Sequence, residues 1–466
     1  MKDLANIENL KKYRRIYMIG IGGTSMSGIA EILNKWGFLV SGSDTNSSAV
    51  TDKLIENGIS VIIGHDPNRV SGADLVVYSA AIKDTDVELS RARELGIPTV
   101  ERKDILGEIT RAFRNTLCIS GTHGKSTTTS MVSMCLLEAR LDPTIQVGAY
   151  LNAIDGNYRV GNSEYFVLEA CEYSESFLSF SPKAEIILNI DNDHLDYYKN
   201  LDNIKQAFIK YVKLLPDDGI LVYNADDKNS DHFSKYTKAK CLTFGIDTSN
   251  ANYVAKNISY DKNGFGSFDV YHNNIFYKTF KLSIPGKHNI YNALACIALC
   301  DEIGLDRTDI KNALKKYTGA GRRFEYLGEV NGAKVFDDYG HHPTEIKAVA
   351  DAVKKRKYNH SWVVFQPHTY SRTKNLLDEF ANCLTNFDNI IVTDIYAARE
   401  QNTYEVSSKD IVAKIDELGR KAYYIPNFDD IIEFIKRNAQ ENDIIITQGA
   451  GTITNLGHNL VKKESL

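Results

Sequence analysis

The chain has no run of 18 apolar residues and no early apolar segment of the signal-peptide kind, so neither a spanning helix nor a secretory leader is expected. Its seven cysteines form no C-x-x-C pair, which leaves no zinc ribbon and no disulfide framework. An odd, scattered set of thiols fits a reducing, cytoplasmic setting. Cys296 and Cys300 stand four apart in an apolar helical stretch, where packing is the better reading than metal binding. Nine prolines argue against long disordered linkers, and neither a tandem repeat nor a low-complexity segment is visible. Charge is nearly balanced at −5, which offers no handle for nucleic acid or an anionic membrane surface. The cluster Lys11-Lys12-Tyr13-Arg14-Arg15 reads as the solvated entry to a first strand.

What is present is an ordinary globular composition, 43% hydrophobic and 25% charged, on 466 residues, a length that suggests about three domains. Short apolar runs at 15–20, 38–44 and 75–79 alternate with helical patterns, one of them at 27–36. That is βαβ rhythm with a parallel sheet. Further strands are expected at 116–119, 165–169 and 184–189, then at 334–337, 362–365, 390–393 and 444–447. The stretch 238–282 is rich in Tyr, Asn, Phe, Ser and Thr and reads as inserted antiparallel strands. The expected fold is therefore α/β in three domains. These are a Rossmann-like domain over 1–112, a central P-loop domain over 113–318, and a second Rossmann-like domain over 319–466.

The most informative segment is Ser120-Gly121-Thr122-His123-Gly124-Lys125-Ser126-Thr127, between an apolar strand and a helical run. Strand, glycine loop, Gly-Lys-Ser and helix form a phosphate cradle. Backbone N–H groups and the positive end of the helix face the anion, Lys125 can reach the β- and γ-phosphates, and the Ser126 hydroxyl can ligate Mg²⁺. The loop is shorter than the common G-x-x-x-x-G-K-[ST], with Ile119 at the place of the first glycine. That points to a particular subgroup.

Other polar clusters also trail strands, where ligand crevices open in α/β sheets. Gly20-Ile21-Gly22-Gly23-Thr24-Ser25 resembles a dinucleotide fingerprint with Ser25 at the third glycine. With Asp44 after the next strand, it suits NAD or any other pyrophosphate. Glu169 beside Ser126 is a plausible Mg²⁺ ligand pair. The loop 189–196 carries Asp191, Asp193 and His194 and could complete a metal site. His288, Asn289 and Asn292 open an apolar helix, as caps or as contacts to an adenine edge. Arg322 and Arg323 are either a surface pair or a clamp for a transferring phosphoryl group. Asp337-Asp338-Tyr339-Gly340-His341-His342-Pro343 and Phe365-Gln366-Pro367-His368-Thr369-Tyr370-Ser371-Arg372 end successive strands. Gln448-Gly449-Ala450-Gly451-Thr452 is a third glycine-rich turn after a strand.

Taken in order over nearly the whole chain, these motifs resemble the Mur ligases. The specific part is Asp337 to Pro343 followed by Phe365 to Arg372. The resemblance implies an ATP- and Mg²⁺-dependent ligase of peptidoglycan precursor synthesis. In it the lactyl carboxylate of UDP-N-acetylmuramate attacks the γ-phosphate of ATP, and the amine of L-alanine displaces phosphate from the acyl phosphate. It implies that Gly121, Thr122, His123, Gly124, Lys125, Ser126 and Thr127 hold the nucleotide phosphates, and that His288, Asn289 and Asn292 lie around the adenine. Arg323 would stabilise the transferring charge. Ser126 and Glu169 would hold one Mg²⁺, and His194 a second. Gly22, Gly23, Ser43, Asp44, His65 and Ser79 would lie near the UDP end, and Tyr339, His341 and Arg372 at the amino-acid end. Small-molecule substrates, no nucleic acid, no membrane and a monomer or weak homodimer complete the expectation. Two departures stand out: Cys171 where many relatives have Asp, and Thr369 where some have Arg.

Overall fold

The computed structural model describes residues 8–462 except 231, 249 and 399, with the backbone alone for Glu8 and Asp196. The described residues form three sheets. The first is wholly parallel, in the spatial order Ser60–Ile63, Leu39–Asp44, Arg15–Ile19, Leu75–Tyr78, Thr99–Glu101. The order reverses beside Arg15–Ile19, so the loops after Ile19 and Tyr78 open into one crevice. Helix Thr24–Lys35 begins three residues before the expected start: Thr24 and Ser25 are polar, and Met26 starts the buried stripe that Ile29, Ala30 and Leu33 continue.

The ten-stranded central sheet contains, in this order, Tyr253–Tyr260, Lys240–Gly245, Ile220–Asn224, Ala184–Ile187, Asn115–Ser120, Tyr165–Glu169, Thr144–Leu151, Gly156–Arg159. The strands from Lys240–Gly245 to Thr144–Leu151 are parallel and nearly continuous in apolar residues, as burial on both faces requires. Two points differ from the sequence reading. Lys240–Gly245 pairs in parallel with Ile220–Asn224 rather than opening the antiparallel insertion. The polar edge strand Gly156–Arg159 pairs antiparallel with Thr144–Leu151 and carries no apolar pattern to announce it. The antiparallel insertion itself is the hairpin Phe265–His272 with Ile275–Pro285.

The third sheet orders Glu325–Val330, Ala333–Asp338, Ile444–Gln448, Ser361–Phe365, Asn389–Val392, Ala422–Tyr424. Only the first pair is antiparallel. Its two central strands are buried at every position, and two apolar clusters cover the faces. By compactness the chain divides into two units. One comprises 1–191, 201–254 and 293–313, the other 192–200, 255–292 and 314–466.

Candidate active site

The phosphate loop follows from two backbone positions. Gly121 has φ 128° and Gly124 φ 89°, conformations that a side chain makes costly. A Cβ on Gly121 would come within 3.0 Å of Leu188. Gly124 caps helix Lys125–Glu138 with no side-chain acceptor, so the first-turn N–H groups are left to an anion. The loop is laced to the next strand end. Thr122 N–H donates to Asn189 O (3.0 Å), His123 N–H to Asn189 Oδ1 (2.8 Å), and Asp191 N–H to Thr122 Oγ1 (2.9 Å). His123 Nε2 lies 3.1 Å from Asp191 Oδ2. Ser126 and Thr127 are buried in the first turn.

Lys125 does not reach into solvent. Its Nζ donates to Gly121 O (2.6 Å) and Thr122 O (3.1 Å) and lies 3.0 Å from Glu172 Oε2. Burial by itself would lower the Lys125 pKa, but the surrounding groups, Glu172 foremost and Glu169 among them, outweigh it and hold it above the ordinary lysine value. Glu172 is 2% exposed and was not singled out in the sequence. Glu169 ends the strand Tyr165–Glu169, and Glu172, three residues further on, is the carboxylate that meets Lys125. Glu169 Oε2 accepts from Gly148 N–H (2.8 Å). Burial pushes the Cys171 thiol up to about 11, so it adds no negative charge in place of the absent Asp. The hydroxyl of Ser126 and the carboxylates of Glu169 and Glu172 are hard oxygen donors, the chemistry that Mg²⁺ selects.

In the same unit, the first sheet builds its crevice around a buried carboxylate. Glu88 is fully buried and accepts from Tyr17 OH (2.8 Å), Ser43 Oγ (2.5 Å) and Asp66 N–H (3.2 Å), and His65 Nδ1 lies 2.9 Å from it. Ser43 and His65, expected near a UDP moiety, are thus pinned by a residue the sequence reading missed. Asp44 Oδ2 accepts from Gly22 N–H (2.9 Å), and Gly23 N–H bonds Gly20 O (3.1 Å). Ser79 Oγ accepts from Ala81 N–H (3.3 Å) after the neighbouring strand. Ser25, at the third glycine position, has a local role. Its Oγ accepts from Arg102 Nη1 (3.0 Å) and from the Gln146 amide, tying the first sheet's helix to the strand Thr144–Leu151.

The second unit gathers a different set. Arg372 Nη2 donates to Asp193 Oδ1 (2.8 Å), with both side chains nearly buried, and Arg372 Nη1 lies 3.0 Å from His368 Nδ1. Burial would raise Asp193, but Arg372, His194 and His341 overcome it and hold the carboxyl well below its usual range. Burial, with Arg372 adding to it, pushes His341 down to about 3 and His368 to about 4, so both rings are neutral near pH 7. His194 has φ 54° and starts the short helix Leu195–Tyr198, with its Nε2 3.9 Å from Asp193 Oδ2. The side chain of Asp196 in that loop lies outside the described residues. The guanidinium groups of Arg322 and Arg323 sit 5.0 and 5.3 Å from the Tyr339 ring centre. Arg322 is spent on Asp337 Oδ2 (2.9 Å) and Gly449 O (2.6 Å), whereas Arg323 makes a longer ion pair, 3.6 Å to Glu345. Asp338, raised to about 6 by burial, ties Phe324 and Gly340 N–H to Gln448. The Gln448–Thr452 turn is therefore a brace for the preceding strand end. His342 caps helix Pro343–Val353. Asn289 Nδ2 donates to Pro285 O (2.6 Å) and Asn292 Nδ2 to Asn289 Oδ1 (3.0 Å), while His288 is solvent-exposed beside them.

Comparison with known proteins matches three family models in succession. They are "Mur ligase family, catalytic domain" over 15–114, "Mur ligase middle domain" over 119–300 and "Mur ligase, glutamate ligase domain" over 322–451. The UDP-N-acetylmuramate–L-alanine ligase of Acetivibrio thermocellus is 48% identical over 455 residues, 98% of this chain and 97% of that protein. The enzyme of the same name from Caldanaerobacter subterraneus subsp. tengcongensis is also 48% identical, over 98% of this chain and 99% of its own length. Among solved structures, the UDP-N-acetylmuramate-alanine ligase MurC of Thermotoga maritima aligns with TM-score 0.82 at 30% identity, over 96% of this chain and 98% of that one. A murein peptide ligase of Psychrobacter arcticus shares the fold with TM-score 0.72 at 24% identity, over 97% of this chain and 100% of that one.

Proposed function

The chain belongs to the Mur ligase family, and from that premise we propose that it joins L-alanine to the lactyl carboxylate of UDP-N-acetylmuramate, converting ATP to ADP and phosphate. The observation that carries the reading is near-full-length identity of 48% to ligases named for that pair. The uncapped 121–126 loop supports the ATP end.

The reaction asks little covalent chemistry of the protein and much positioning and charge neutralisation. The loop Gly121 to Thr127 takes the phosphates with its N–H groups, and Lys125 exchanges Glu172 for the β- and γ-phosphate oxygens. Ser126 and Glu169 would hold a Mg²⁺ ion, and His194 would serve a second. Bound Mg²⁺ supplies neutralisation of the phosphate charge. By the family resemblance Arg323 serves the transferring phosphoryl group, while His288, Asn289 and Asn292 border the adenine. Gly22, Gly23, Ser43, Asp44, His65 and Ser79 receive the UDP end. Tyr339, His341 and Arg372 receive L-alanine, and the neutral His341 does not repel its ammonium. The three domains are bounded at 1–112, 113–318 and 319–466. The protein works in the cytoplasm as a monomer or weak homodimer; no described helix is long and apolar enough to cross a membrane.

Phosphate release with UDP-N-acetylmuramate fixed and the amine varied tests the reading. L-alanine should support turnover, and a preformed stem tripeptide should not. Turnover with the tripeptide alone would replace L-alanine ligation by peptide ligation on the same sugar.

A further inference from the structure

Outside the candidate active site, three sulfurs converge at one point. Cys135 sits in the last turns of the helix that the phosphate loop opens, Lys125–Glu138, and Cys296 and Cys300 lie one turn apart on helix Lys287–Glu302. Cys135 Sγ is 3.6 Å from Cys296 Sγ, Cys296 Sγ is 3.9 Å from Cys300 Sγ, and all three lie within 4.8 Å of one another. All three residues are fully buried. The i, i+4 spacing alone marks two packed thiols. The third, from a helix 161 residues earlier, is invisible in sequence and changes the chemistry available.

We propose that Cys135, Cys296 and Cys300 form a binding site for a soft monovalent cation of the copper(I) class. A metal–sulfur bond of about 2.3 Å places sulfurs about 3.8–4.0 Å apart around a common centre, close to the spacing found. Thiolate sulfur selects copper(I), zinc or iron–sulfur clusters among biological metals. Structural zinc takes four ligands, and this cluster holds only three metal-binding side chains among the described residues. Met131, Val132, Leu136, Ile297 and Leu299 on the same two helices are buried as well. Three convergent sulfurs suit a trigonal soft ion. Loading is ligand exchange with no electron transfer. Copper(I) leaves a small-thiol carrier, up to three thiol protons pass to solvent, and three Cu–S bonds form. Because no sulfur is exposed, loading needs local opening and both entry and exit are slow. The bound ion ties the far end of the phosphate-loop helix to segment 293–302.

The test loads reduced protein anaerobically with copper(I) buffered by a competing chelator, removes the chelator, and counts copper per chain. One ion per chain is expected in the wild type and in Cys241→Ser, whose thiol lies elsewhere, and none in Cys296→Ser. No retained copper in the wild type, or undiminished copper in Cys296→Ser, overturns the proposal. X-ray absorption on the loaded wild type avoids any folding defect of the variant. A shell of three sulfurs is expected, and two sulfurs or nitrogen and oxygen ligands contradict the site.

Discussion

Glu172→Gln separates the two states of Lys125. In the structure the ammonium is 3.0 Å from Glu172 Oε2, with the two side chains 13% and 2% exposed. At that separation and an effective dielectric constant of about 20, the Coulomb attraction is about 5 kcal/mol. Removing one partner of a buried pair typically costs about 3–5 kcal/mol, because the other charge stays behind uncompensated. The side-chain amide that replaces the carboxylate still accepts one hydrogen bond, so the lower half of that range is the expectation. For a unit of this size, about 3 kcal/mol lowers the melting temperature by roughly 6–12 °C. ATP must replace Glu172 as the partner of Lys125. A non-hydrolysable ATP analogue with Mg²⁺ should therefore stabilise the variant more than the wild type and close most of the gap. Differential scanning calorimetry with and without the analogue measures both shifts. A gap below about 2 °C without nucleotide, or an equal gap with it, refutes the exchange of partners.

Three other perturbations act elsewhere in the molecule. Glu88→Gln removes the charge that holds Ser43, His65 and Tyr17, and should weaken UDP-N-acetylmuramate binding by about 1–3 kcal/mol with kcat little changed, read by calorimetric titration and steady-state KM. Arg372→Ala leaves Asp193 buried without its partner and should destabilise the second unit by about 3–5 kcal/mol in thermal melts, while Arg372→Lys should retain more stability yet raise KM for L-alanine. His341 and His368 have folded pKa values of about 3 and 4 against an ordinary 6.5. The unfolded chain takes up their protons first, so stability should fall as pH drops from about 6.5 toward 4, and His341→Gln should flatten that acid limb. Asp338, raised to about 6, acts in the opposite sense below that pH and offsets part of the loss.

The parts of this molecule that could be read in the sequence are those whose chemistry is local. The phosphate loop is contiguous, and its Gly121 and Gly124 are needed for backbone angles that the strand–loop–helix order already implies. Buried parallel strands announce themselves as apolar runs. What escaped depends on pairings that sequence spacing cannot show. Arg372 finds Asp193 across 179 residues, and Glu88 finds Ser43 across 45. Glu172, three residues beyond the strand-end Glu169, is the carboxylate that meets Lys125. Polar edge strands such as Gly156–Arg159 bury too little to carry an alternating pattern. The role of Ser25 also became visible only when Arg102 and Gln146 were seen to converge on it.

The central claim is that a sugar carboxylate attacks the terminal phosphorus of ATP to give an acyl phosphate. UDP-N-acetylmuramate labelled with ¹⁸O in its lactyl carboxylate, turned over with ATP, Mg²⁺ and L-alanine, tests it most directly. The P–O bond made in the first step survives the amine's attack at carbon, so the released phosphate should carry one ¹⁸O per amide formed. Unlabelled phosphate accompanying amide formation would contradict the account.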